Sequence, residues 1–467
     1  MQGYAVTTTP PPSAVFKAYD IRGIVPDQLN ADFARRLGLA LAQQARERDV
    51  TAMVVGYDGR LSSPELAAAL QEGLNQGGLD TIDIGMVHTP LVYYGTFHEK
   101  TGSGVAITGS HNPSDYNGFK IMLDGKALYG DEIQALGRIM AAPGSTSEIK
   151  PGTRRALDLA PDYIAQIRDT VRLTRPMKIA IDCGNGVGGK LAAQLYRALG
   201  CTVDELYCEV DGRFPNHHPD PADPHNLQDL IRHVRDTDCE LGLAFDGDAD
   251  RLGVVTRSGE IIWPDRQLIL FARDILERVP GSTIIFDVKC SRHVAREIKH
   301  AGGKPMMWQT GHSLIKAKLA KTGAPLAGEM SGHIFFKERW YGFDDGLYAG
   351  ARLLEILSRH DHPSSVLEDL PEDVSTPEIK LQMQEGQPHA LIARLQKEGQ
   401  FPHATSLSTI DGVRAEYRSG FGLARASNTT PVIVLRFEAE TAEDLENIKG
   451  EFRAAFEALD PTLKMPF

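Results

Sequence analysis

The sequence is poor in cysteine and has no long hydrophobic run. It contains 5 cysteines in 467 residues, and no two of them have the CxxC spacing of thiolate zinc sites. An odd, small number without that spacing argues against a disulfide framework and favours a reducing compartment, so we expect a cytoplasmic protein. No stretch approaches the roughly 18 apolar residues that a membrane-spanning helix needs, so no membrane contact is expected.

Excess positive charge is absent too, because 50 Lys and Arg stand against 62 Asp and Glu, for a formal net charge of −12. Affinity for nucleic acids rests largely on Lys and Arg, so this balance disfavours a nucleic-acid partner. The hydrophobic fraction of 42% and the charged fraction of 24% are ordinary for a folded protein. Residues 1–14 include a run of three prolines but no positive cluster and no apolar stretch. We expect a disordered leader there rather than a secretory signal.

Three segments of the chain repeat one pattern, a short apolar run that ends in a polar turn. These runs are 53–58, 179–182 and 284–287. A second apolar run follows each of them and opens into a polar loop, at 105–107, 241–245 and 325–327. Each pair leaves room for a helix and a further strand. The repetition predicts three related α/β domains, each with a polar loop at the carboxyl end of a strand, where open α/β sheets bind ligands.

Helices are predicted after the first two of these runs. The first helix has Ser63 as its N-cap, Pro64 and Glu65 in its first turn and a glycine pair beyond its end. The second runs from about Lys190 to Leu199. Both helices fit the strand–helix alternation of an α/β domain.

The C-terminal part combines short strands with two helices, which predicts a small α+β domain. Strands are expected at 378–383, 406–410 and 432–437, and helices at 388–397 and 443–459. The expected organisation is therefore the leader followed by four domains, at 1–14, 15–155, 156–259, 260–371 and 372–467.

The polar loop of the second segment carries Asp246, Asp248 and Asp250. In an extended loop this spacing points three carboxylates to one side, where they repel one another unless a cation lies between them. Ligation by oxygen alone suits Mg²⁺, which also shares phosphate oxygens. An EF-hand needs Gly and Glu at the sixth and twelfth positions, where this loop has Arg251 and Arg257.

The polar loop of the first segment reads Thr-Gly-Ser-His-Asn-Pro at 108–113. Gly109 lets backbone N–H groups approach an anion, and Ser110 is a candidate nucleophile. An esterase-type nucleophile elbow is excluded, because it needs Gly where Thr108 stands. On its own this hexapeptide is more typical of a turn, and the hypothesis depends on the other loops converging with it.

Further polar groups follow in the later segments. The run 425–431 has a guanidinium, an amide and three hydroxyls, which suit a dianionic phosphate, and a flexible Gly-Phe-Gly at 420–422 precedes it. Glu329, Ser331 and His333 offer partners for sugar hydroxyls.

Other candidates are less specific. Lys289 and His312 are equally compatible with a site and with a structural role. The histidines and aspartates at 217–225 lie in a Pro-rich connection without regular ligand spacing, so we interpret them as structural.

Four of these loops, at 108–113, 246–251, 328–333 and 425–431, resemble in sequence and order those of the α-D-phosphohexomutase superfamily. Within it the chain is most similar to the bacterial bifunctional phosphomannomutase/phosphoglucomutase branch, from Phe16 to the C-terminus. The resemblance implies an α/β fold with three similar mixed-sheet domains and a C-terminal α+β domain around a central active-site cleft.

The resemblance also implies an activity and the residues behind it. A phosphoserine enzyme would move phosphate between the 1- and 6-positions of glucose or mannose phosphates through a hexose 1,6-bisphosphate. One Mg²⁺ would be held by Ser110, Asp246, Asp248 and Asp250, and glucose 1,6-bisphosphate would be the activator. The implied catalytic residues are Ser110, Lys120, Arg22, Arg251 and His312. The implied substrate-binding residues are Tyr19, Lys289, Glu329, Ser331, His333, Arg425, Ser427, Asn428 and Thr429.

Several alternatives stay open. The proton-exchanging group is not assigned among Lys120, Arg22 and His312. Contacts confined to O3 and O4 would admit both glucose and mannose, whereas a phosphoglucosamine mutase is the alternative substrate class. A phosphoserine-dependent sugar-phosphate phosphatase and a non-catalytic phosphosugar-binding protein are the alternatives to a mutase. Small hexose phosphates are the expected partners, and a monomer is expected, with a dimer as the alternative.

Overall fold

The computed structural model describes residues 11–142, 149–428 and 430–467. The chain forms two compact units: unit 1 comprises the residues up to 263 together with 331–368, and unit 2 comprises 264–330 and 369–467. Residues 1–10 of the expected leader lie outside the described part, and Ser13–Val15 form a 3₁₀ turn. Among the described residues, no helix is long and apolar enough to cross a membrane.

The first sheet of unit 1 is mixed. Its strands are β1 (Ile21–Ile24), β2 (Ala52–Tyr57), β3 (Asp80–Met86), β4 (Gly104–Ile107), β5 (Tyr116–Leu123), β6 (Lys126–Ala127) and β7 (Arg154–Ala156). They follow the order β1-β5-β4-β2-β3-β7, with β6 beside β5. The pairs within β4-β2-β3-β7 are parallel, whereas β5 is antiparallel to β1 and β4.

Four helices accompany this sheet: α1 (Ala31–Arg46), α2 (Ser63–Gln76), α3 (Thr89–His98) and α4 (Asp131–Ala141). Asn30 caps α1 by accepting a hydrogen bond from the backbone N–H of Phe33. Phe33, Leu37 and Leu41 recur at helical spacing and are buried in the core that also contains Phe119 of β5. This core supports the carboxyl ends of β2 and β4, where the site begins.

The second sheet of unit 1 is also mixed. Its strands are β8 (Lys178–Asp182), β9 (Thr202–Leu206), β10 (Leu241–Phe245), β11 (Leu252–Thr256) and β12 (Ile261–Ile262), in the order β12-β11-β10-β8-β9. The pairs within β10-β8-β9 are parallel and the others antiparallel. Its helices are α5 (Ala160–Thr170), α6 (Ala192–Ala198) and α7 (Gln228–Asp236).

The chain then enters unit 2 and later returns. Residues 264–330 contribute α8 (Pro264–Arg278), β13 (Thr283–Asp287), α9 (Arg292–His300), β14 (Lys304–Trp308), α10 (His312–Thr322) and β15 (Leu326–Gly328). Strands β14 and β15 pair with β13 in parallel. Back in unit 1, the chain forms β16 (Ile334–Phe336), α11 (Gly346–Leu357) and α12 (Pro363–Glu368).

The C-terminal part of unit 2 is an antiparallel sheet with two helices. It contains β17 (Val374–Ser375), β18 (Ile379–Gln382), α13 (Gln387–Glu398), β19 (Ser406–Ser408), β20 (Val413–Glu416), β21 (Gly420–Ala426), β22 (Val432–Ala439) and α14 (Ala442–Leu459). The strand order is β17-β22-β21-β20-β19, with β18 also beside β22. Mixed sheets in unit 1 and this α+β arrangement confirm the expected fold class.

All six strands predicted from the repeated pattern are present as β2, β4, β8, β10, β13 and β15, and all predicted helices and strands of the C-terminal part are found. In the C-terminal part, strands β17, β20 and β21 were not predicted. The proposed domain boundaries remain a prediction.

Two local predictions are wrong. Ser63 is the first residue of α2 rather than its N-cap, which is Ser62, because the Ser63 hydroxyl donates to Asp58 Oδ1 at 2.5 Å. The second predicted helix is shorter, since Val187–Lys190 form a 3₁₀ turn and α6 starts only at Ala192.

The Gly-Phe-Gly at 420–422 is a buried part of β21 and not a flexible segment. Its glycines serve close packing: a Cβ on Gly422 would lie 2.3 Å from Cε2 of Phe452, and one on Gly420 would lie 2.0 Å from the backbone oxygen of Glu438. Arg425 therefore projects from a strand that is held on both sides.

Candidate active site

Ser110 lies in the loop after β4 and is buried. Its φ of 48° is in the left-handed region, which side chains other than glycine rarely adopt. Thr108 Oγ1 accepts from the Ser110 N–H at 2.8 Å and donates to Asp58 Oδ2 at 2.8 Å. The same Asp58 oxygen accepts from the Gly109 N–H at 3.1 Å. The end of β2 therefore fixes the backbone that presents Ser110.

The guanidinium of Arg60 holds the other side of this loop. It donates to the backbone oxygens of Ser110 at 2.8 Å, Asn112 at 2.6 Å and Tyr116 at 2.9 Å, and also to that of Pro113. Arg60 is 1% exposed and its Nε lies 3.2 Å from Asp58 Oδ2. Arg60 was not predicted from the sequence; the available signal was an arginine two residues after the aspartate that directly follows β2.

The Ser110 hydroxyl has two acceptors. Asp246 Oδ2 lies 3.0 Å from Ser110 Oγ, and His111 Nδ1 lies 3.1 Å from it. The same His111 nitrogen accepts from Arg251 Nη2 at 2.8 Å. Burial lowers the pKa of His111 well below its ordinary value, and the charge of Arg251 lowers it further, so the imidazole is neutral. His111 stood inside the recognised motif, but its role was not predicted.

The three aspartates of the loop after β10 lie together and are fully buried. Asp246, Asp248 and Asp250 each present an oxygen, and these oxygens lie within 4.8 Å of one another. Lys120 Nζ, from β5, donates to Asp248 Oδ2 at 2.8 Å and to Asp250 Oδ2 at 2.5 Å. Thr89 Oγ1 also donates to Asp248 Oδ2, at 2.6 Å. The loop thus forms a compact anionic cluster with one lysine against it.

Charges within the cluster affect its protonation in opposite directions. Burial and the charges of Asp250 and Asp248 raise the pKa of Asp246 well above its ordinary value. Burial also opposes ionisation of Asp250, but Lys120 and His333 outweigh it and hold that pKa well below its usual range. Burial works against the charged lysine, yet Asp248 and Asp250 raise the pKa of Lys120 well above its ordinary value. Lys120 is therefore a cation and a poor base in this arrangement.

The carboxylates fit a divalent cation. Asp248 Oδ1 is buried and has no hydrogen-bond partner among the described residues. It is therefore an unsatisfied oxygen within a cluster of carboxylates. Three hard oxygens without thiol or imidazole match the ligand preference of Mg²⁺.

Arg251 and His333 border the cluster within unit 1. Arg251 Nε lies 3.3 Å from His333 Nε2, and His333 Nε2 lies 3.3 Å from Asp250 Oδ1. Ser331 Oγ is hydrogen-bonded to His333 Nδ1 at 2.9 Å. Arg22, on β1, donates to Asn112 Oδ1 at 3.0 Å and so contacts the serine loop.

A second group of predicted residues lies in unit 2. Glu329 Oε1 accepts from the Gly311 N–H at 2.6 Å, just before His312 opens α10. Lys289 Nζ donates to Glu378 Oε1 at 2.6 Å, and Arg425 Nε donates to Asp411 Oδ2 at 3.0 Å.

These unit 2 groups influence one another electrostatically. Burial opposes the charge of Lys289, but Glu378 and Asp287 raise its pKa above the ordinary value, while the charge of Arg425 lowers it. The charge of Lys289 lowers the pKa of Glu378 to about 2. Two cations thus lie near one another in this unit, each with a carboxylate partner.

Each described candidate residue belongs to one of the two units. Unit 1 contains Tyr19, Arg22, Ser110, Lys120, Asp246, Asp248, Asp250, Arg251, Ser331 and His333, and unit 2 contains Lys289, His312, Glu329, Arg425, Ser427 and Asn428. Tyr19, Ser427 and Asn428 are half-buried, and Thr429 lies outside the described residues. His217 Nε2 pairs with Asp182 Oδ2 at 3.0 Å, as expected of a structural histidine.

Comparison with protein families gives four consecutive matches. Residues 13–146, 161–259 and 263–374 match the α/β/α domains I, II and III of phosphoglucomutase/phosphomannomutase, and residues 378–455 match the C-terminal domain. Together they span most of the chain.

Individual relatives are similar over nearly their whole length. A phosphoglucomutase of Neisseria meningitidis serogroup A is 55% identical over 97% of this chain and 98% of its own. A phosphomannomutase/phosphoglucomutase of Pseudomonas aeruginosa is 53% identical over 98% of both chains. A crystal structure of a phosphoglucomutase/phosphomannomutase family protein from Burkholderia thailandensis, 53% identical, superposes with a TM-score of 0.93 over 98% of this chain and 100% of its own.

Proposed function

The chain belongs to the phosphoglucomutase/phosphomannomutase family, and on that premise we propose which of its residues perform the reaction. The protein is a phosphohexomutase: it reversibly transfers a phosphoryl group between the 1- and 6-positions of glucose and mannose phosphates. The transfer passes through a phosphoserine and a hexose 1,6-bisphosphate. The observation that carries our assignment is the buried Ser110 Oγ, 3.0 Å from an aspartate of the acidic cluster.

Ser110 is the proposed carrier of the phosphoryl group. In one half-reaction the bond from phosphorus to Ser110 Oγ breaks and a bond to a sugar hydroxyl forms; the second half-reaction returns the other phosphate to Ser110. The serine oxygen is the leaving group in the first step. We assign stabilisation of its negative charge to Arg251, because Arg251 contacts His111 and Asp246, the two side chains that are hydrogen-bonded to Ser110 Oγ. Because positioning dominates phosphoryl transfer, the bonds of Arg60 and Asp58 to this loop are part of the machinery.

A group that exchanges a proton at the reacting hydroxyls must be able to take up and release that proton. His111 Nδ1 is 3.1 Å from Ser110 Oγ, but its pKa lies well below the ordinary value and the same nitrogen accepts from Arg251 Nη2, so we assign His111 a positioning role and not proton exchange. Lys120 can exchange a proton only once its two aspartate partners are otherwise neutralised. His312 and Arg22 remain the other candidates.

Asp246, Asp248 and Asp250, with an oxygen on Ser110, would hold one Mg²⁺. When bound, the ion supplies positive charge that neutralises the transferring phosphoryl group. We also propose glucose 1,6-bisphosphate as the activator that restores the phosphoserine.

The substrate contacts are proposed from the resemblance of the loops. Glu329 and Ser331 would bind the 3- and 4-hydroxyls, which glucose and mannose share, so neither epimer at C2 is rejected. Arg425, Ser427, Asn428 and Thr429 would bind the phosphate that is not being transferred, since a guanidinium with hydroxyls and an amide suits a dianion. Tyr19, Lys289 and His333 would complete the polar lining. A cytoplasmic location and a monomeric state are further expectations.

A parallel assay of glucose, mannose and glucosamine 1-phosphates tests the assignment. With Mg²⁺ and a trace of the 1,6-bisphosphate, we expect the 6-phosphates of glucose and mannose at comparable rates and little product from glucosamine. The Ser110→Ala variant should lose turnover and the phosphoserine seen by intact mass. Release of inorganic phosphate without 6-phosphate would instead identify a phosphatase.

A further inference from the structure

Two thiols that the reaction does not use lie close together in unit 1. Cys208 Sγ is 3.5 Å from Cys183 Sγ. Cys183 directly follows β8, and Cys208 lies two residues beyond β9, the parallel neighbour that pairs with β8 up to Asp182 and Leu206. We propose that Cys183 and Cys208 are a modification site that forms a reversible disulfide when a hydroperoxide oxidises the protein.

The backbone keeps the two cysteines side by side. The Cys183 N–H donates to the Leu206 oxygen at 3.2 Å, and the Asn185 N–H donates to the Tyr207 oxygen at 2.8 Å. A disulfide needs sulfurs about 2.0 Å apart, so they must approach by about 1.5 Å. Both cysteines lie beyond the last paired residues of β8 and β9, in turns where Asn185 and Tyr207 have positive φ, so we expect these turns to take up the adjustment.

The environments of the two thiols assign them different roles. Cys183 is fully buried, and the hydrogen bond with Cys208 together with burial raises its pKa well above the ordinary value, so Cys183 stays protonated until it reacts with the oxidised Cys208. Cys208 is only partly buried and is the one that a small oxidant reaches. Cys208 is therefore the cysteine that peroxide oxidises, and Cys183 is the resolving cysteine that forms the disulfide with it.

The chemistry balances with the peroxide as the only co-reactant. The Cys208 thiol loses its proton and its sulfur attacks one peroxide oxygen; the O–O bond breaks, and the released hydroxide takes up that proton to leave as water, which gives a sulfenic acid on Cys208. Cys183 then loses its proton and attacks the Cys208 sulfur; the S–O bond breaks and a second water leaves. Both sulfurs are oxidised by two electrons in total, one peroxide is reduced to two waters, and a dithiol reverses the reaction.

The other three cysteines are in a different situation. Cys239 Sγ contacts Asp204 Oδ2 at 3.4 Å, and Cys290 Sγ contacts Asp287 Oδ1 at 3.1 Å, so each has a carboxylate as its neighbour. Burial raises the pKa of Cys201 to about 12. Within residues 11–142, 149–428 and 430–467, the cysteine sulfurs in contact with each other are those of Cys183 and Cys208, so a disulfide is the favoured product at this pair.

The pair is connected to the acidic cluster through the turn after β8. The Gly186 N–H donates to the Cys183 oxygen at 2.7 Å, and the Val187 N–H donates to the Gly247 oxygen at 3.1 Å. A Cβ on Gly186 would lie 2.9 Å from that same Gly247 oxygen, so the two turns touch. Gly247 stands between Asp246 and Asp248, and a displacement of Cys183 therefore reaches the loop that carries the carboxylates.

The test treats the full-length protein with hydrogen peroxide, alkylates the remaining thiols and maps the peptides by mass. We expect a Cys183–Cys208 cross-linked peptide, two hydrogen atoms lighter than the sum of the reduced peptides, that disappears with dithiothreitol. Cys208→Ser and Cys183→Ser should abolish it. Cys201→Ser, at the opposite end of β9, should retain it. Overoxidised Cys208 beside reduced Cys183 would refute the proposal, as would a cross-link between other cysteines.

Turnover is measured on the same samples. Because ångström-scale displacement of catalytic groups is costly, we expect oxidation to lower kcat by about tenfold or more in the wild type and Cys201→Ser, with recovery in dithiothreitol. The Cys208→Ser variant should keep its kcat under the same treatment. A cross-link that forms without a change in kcat would disprove the connection to Gly247. The peptide masses do not depend on the assigned catalytic roles, so failure of either part is distinguishable.

Discussion

Arg60 Nη2 donates a hydrogen bond to the backbone oxygen of Ser110 at 2.8 Å. The same guanidinium binds three further carbonyls of the loop, so a single planar cation holds the path of the chain around Ser110. The left-handed conformation of Ser110 costs energy on its own, and this set of bonds offsets that cost.

Replacing Arg60 with lysine should lower kcat by about 10²-fold with a smaller change in KM, because an ammonium cannot reach four carbonyls and the serine shifts by a fraction of an ångström. Steady-state kinetics and the phosphoserine content by intact mass measure the effect. The Arg213→Lys variant is the control, since the Arg213 side chain is 74% exposed and its ion pair within the described part of the chain is with the neighbouring Asp211. An unchanged kcat in Arg60→Lys would contradict the positioning role.

Removal of the divalent cation should abolish turnover and lower the midpoint of thermal unfolding. Ligand linkage gives a stabilisation of about 2.7 kcal/mol when Mg²⁺ is present at 100 times its Kd. Asp248→Asn should weaken this Mg²⁺-dependent shift, because it removes the charge of a buried carboxylate whose Oδ1 has no hydrogen-bond partner in the part of the chain that the structure describes. Asp238→Asn is the matched control at a carboxylate that is 75% exposed. Equal shifts in both variants would contradict the assigned ligands.

Glu329→Gln should reduce kcat/KM for glucose 1-phosphate and mannose 1-phosphate by the same factor, about tenfold or more, since the proposed contacts are to hydroxyls that both sugars share. Parallel kinetics with the two substrates measure the ratio, and exposed Glu443→Gln is the control. A change in the ratio would show that Glu329 discriminates at C2.

His88 predicts a pH dependence of stability. Burial lowers its pKa to about 3, so the folded state holds the ring neutral while the unfolded state protonates it near pH 6.5. Because the pKa of the folded state is the lower one, the neutral ring contributes its full stability above the pKa of the unfolded state. As the pH falls from the unfolded-state pKa toward the folded-state pKa, the free energy of unfolding decreases by up to about 1.4 kcal/mol per pH unit. Urea unfolding of the wild type at several pH values below neutrality should show this loss.

The His88→Gln variant should lose less stability on acidification than the wild type over the same interval. His98, at the other end of α3, is 36% exposed, so His98→Gln should follow the wild-type pH profile. Parallel profiles for wild type and His88→Gln would mean that His88 is not held neutral.

The sequence predicted the parts of the site that are local in the chain. Asp246, Asp248 and Asp250 are neighbours in one loop after an apolar strand, and both their spacing and the strand are visible in the residue order. Arg60 was missed because its partners lie some fifty residues away, and nothing in the residues around Arg60 shows that β4 pairs beside β2. Lys120 was recognised only through the family resemblance, because its contact with Asp248 crosses from one sheet to another.

The structural role of the glycines was the hardest feature to predict from the sequence. The pair at 420 and 422 indicated flexibility from composition alone, although Phe452 and Glu438 occupy the space that side chains would need. The packing of neighbouring atoms is needed to distinguish a glycine that allows a turn from a glycine that leaves room for a neighbouring residue.

Unit 1 is completed by residues that the chain reaches only after an excursion through 264–330. The Leu252 N–H donates to the Gly332 oxygen at 3.2 Å, and the Gly346 N–H donates to the Ala249 oxygen at 3.1 Å, so this late segment covers the acidic loop. During synthesis, the acidic loop leaves the ribosome long before the segment 331–368 that covers it. A nascent or truncated chain ending near residue 263 would lack this cover, and unit 1 can finish folding only after α12, its last helix, has emerged.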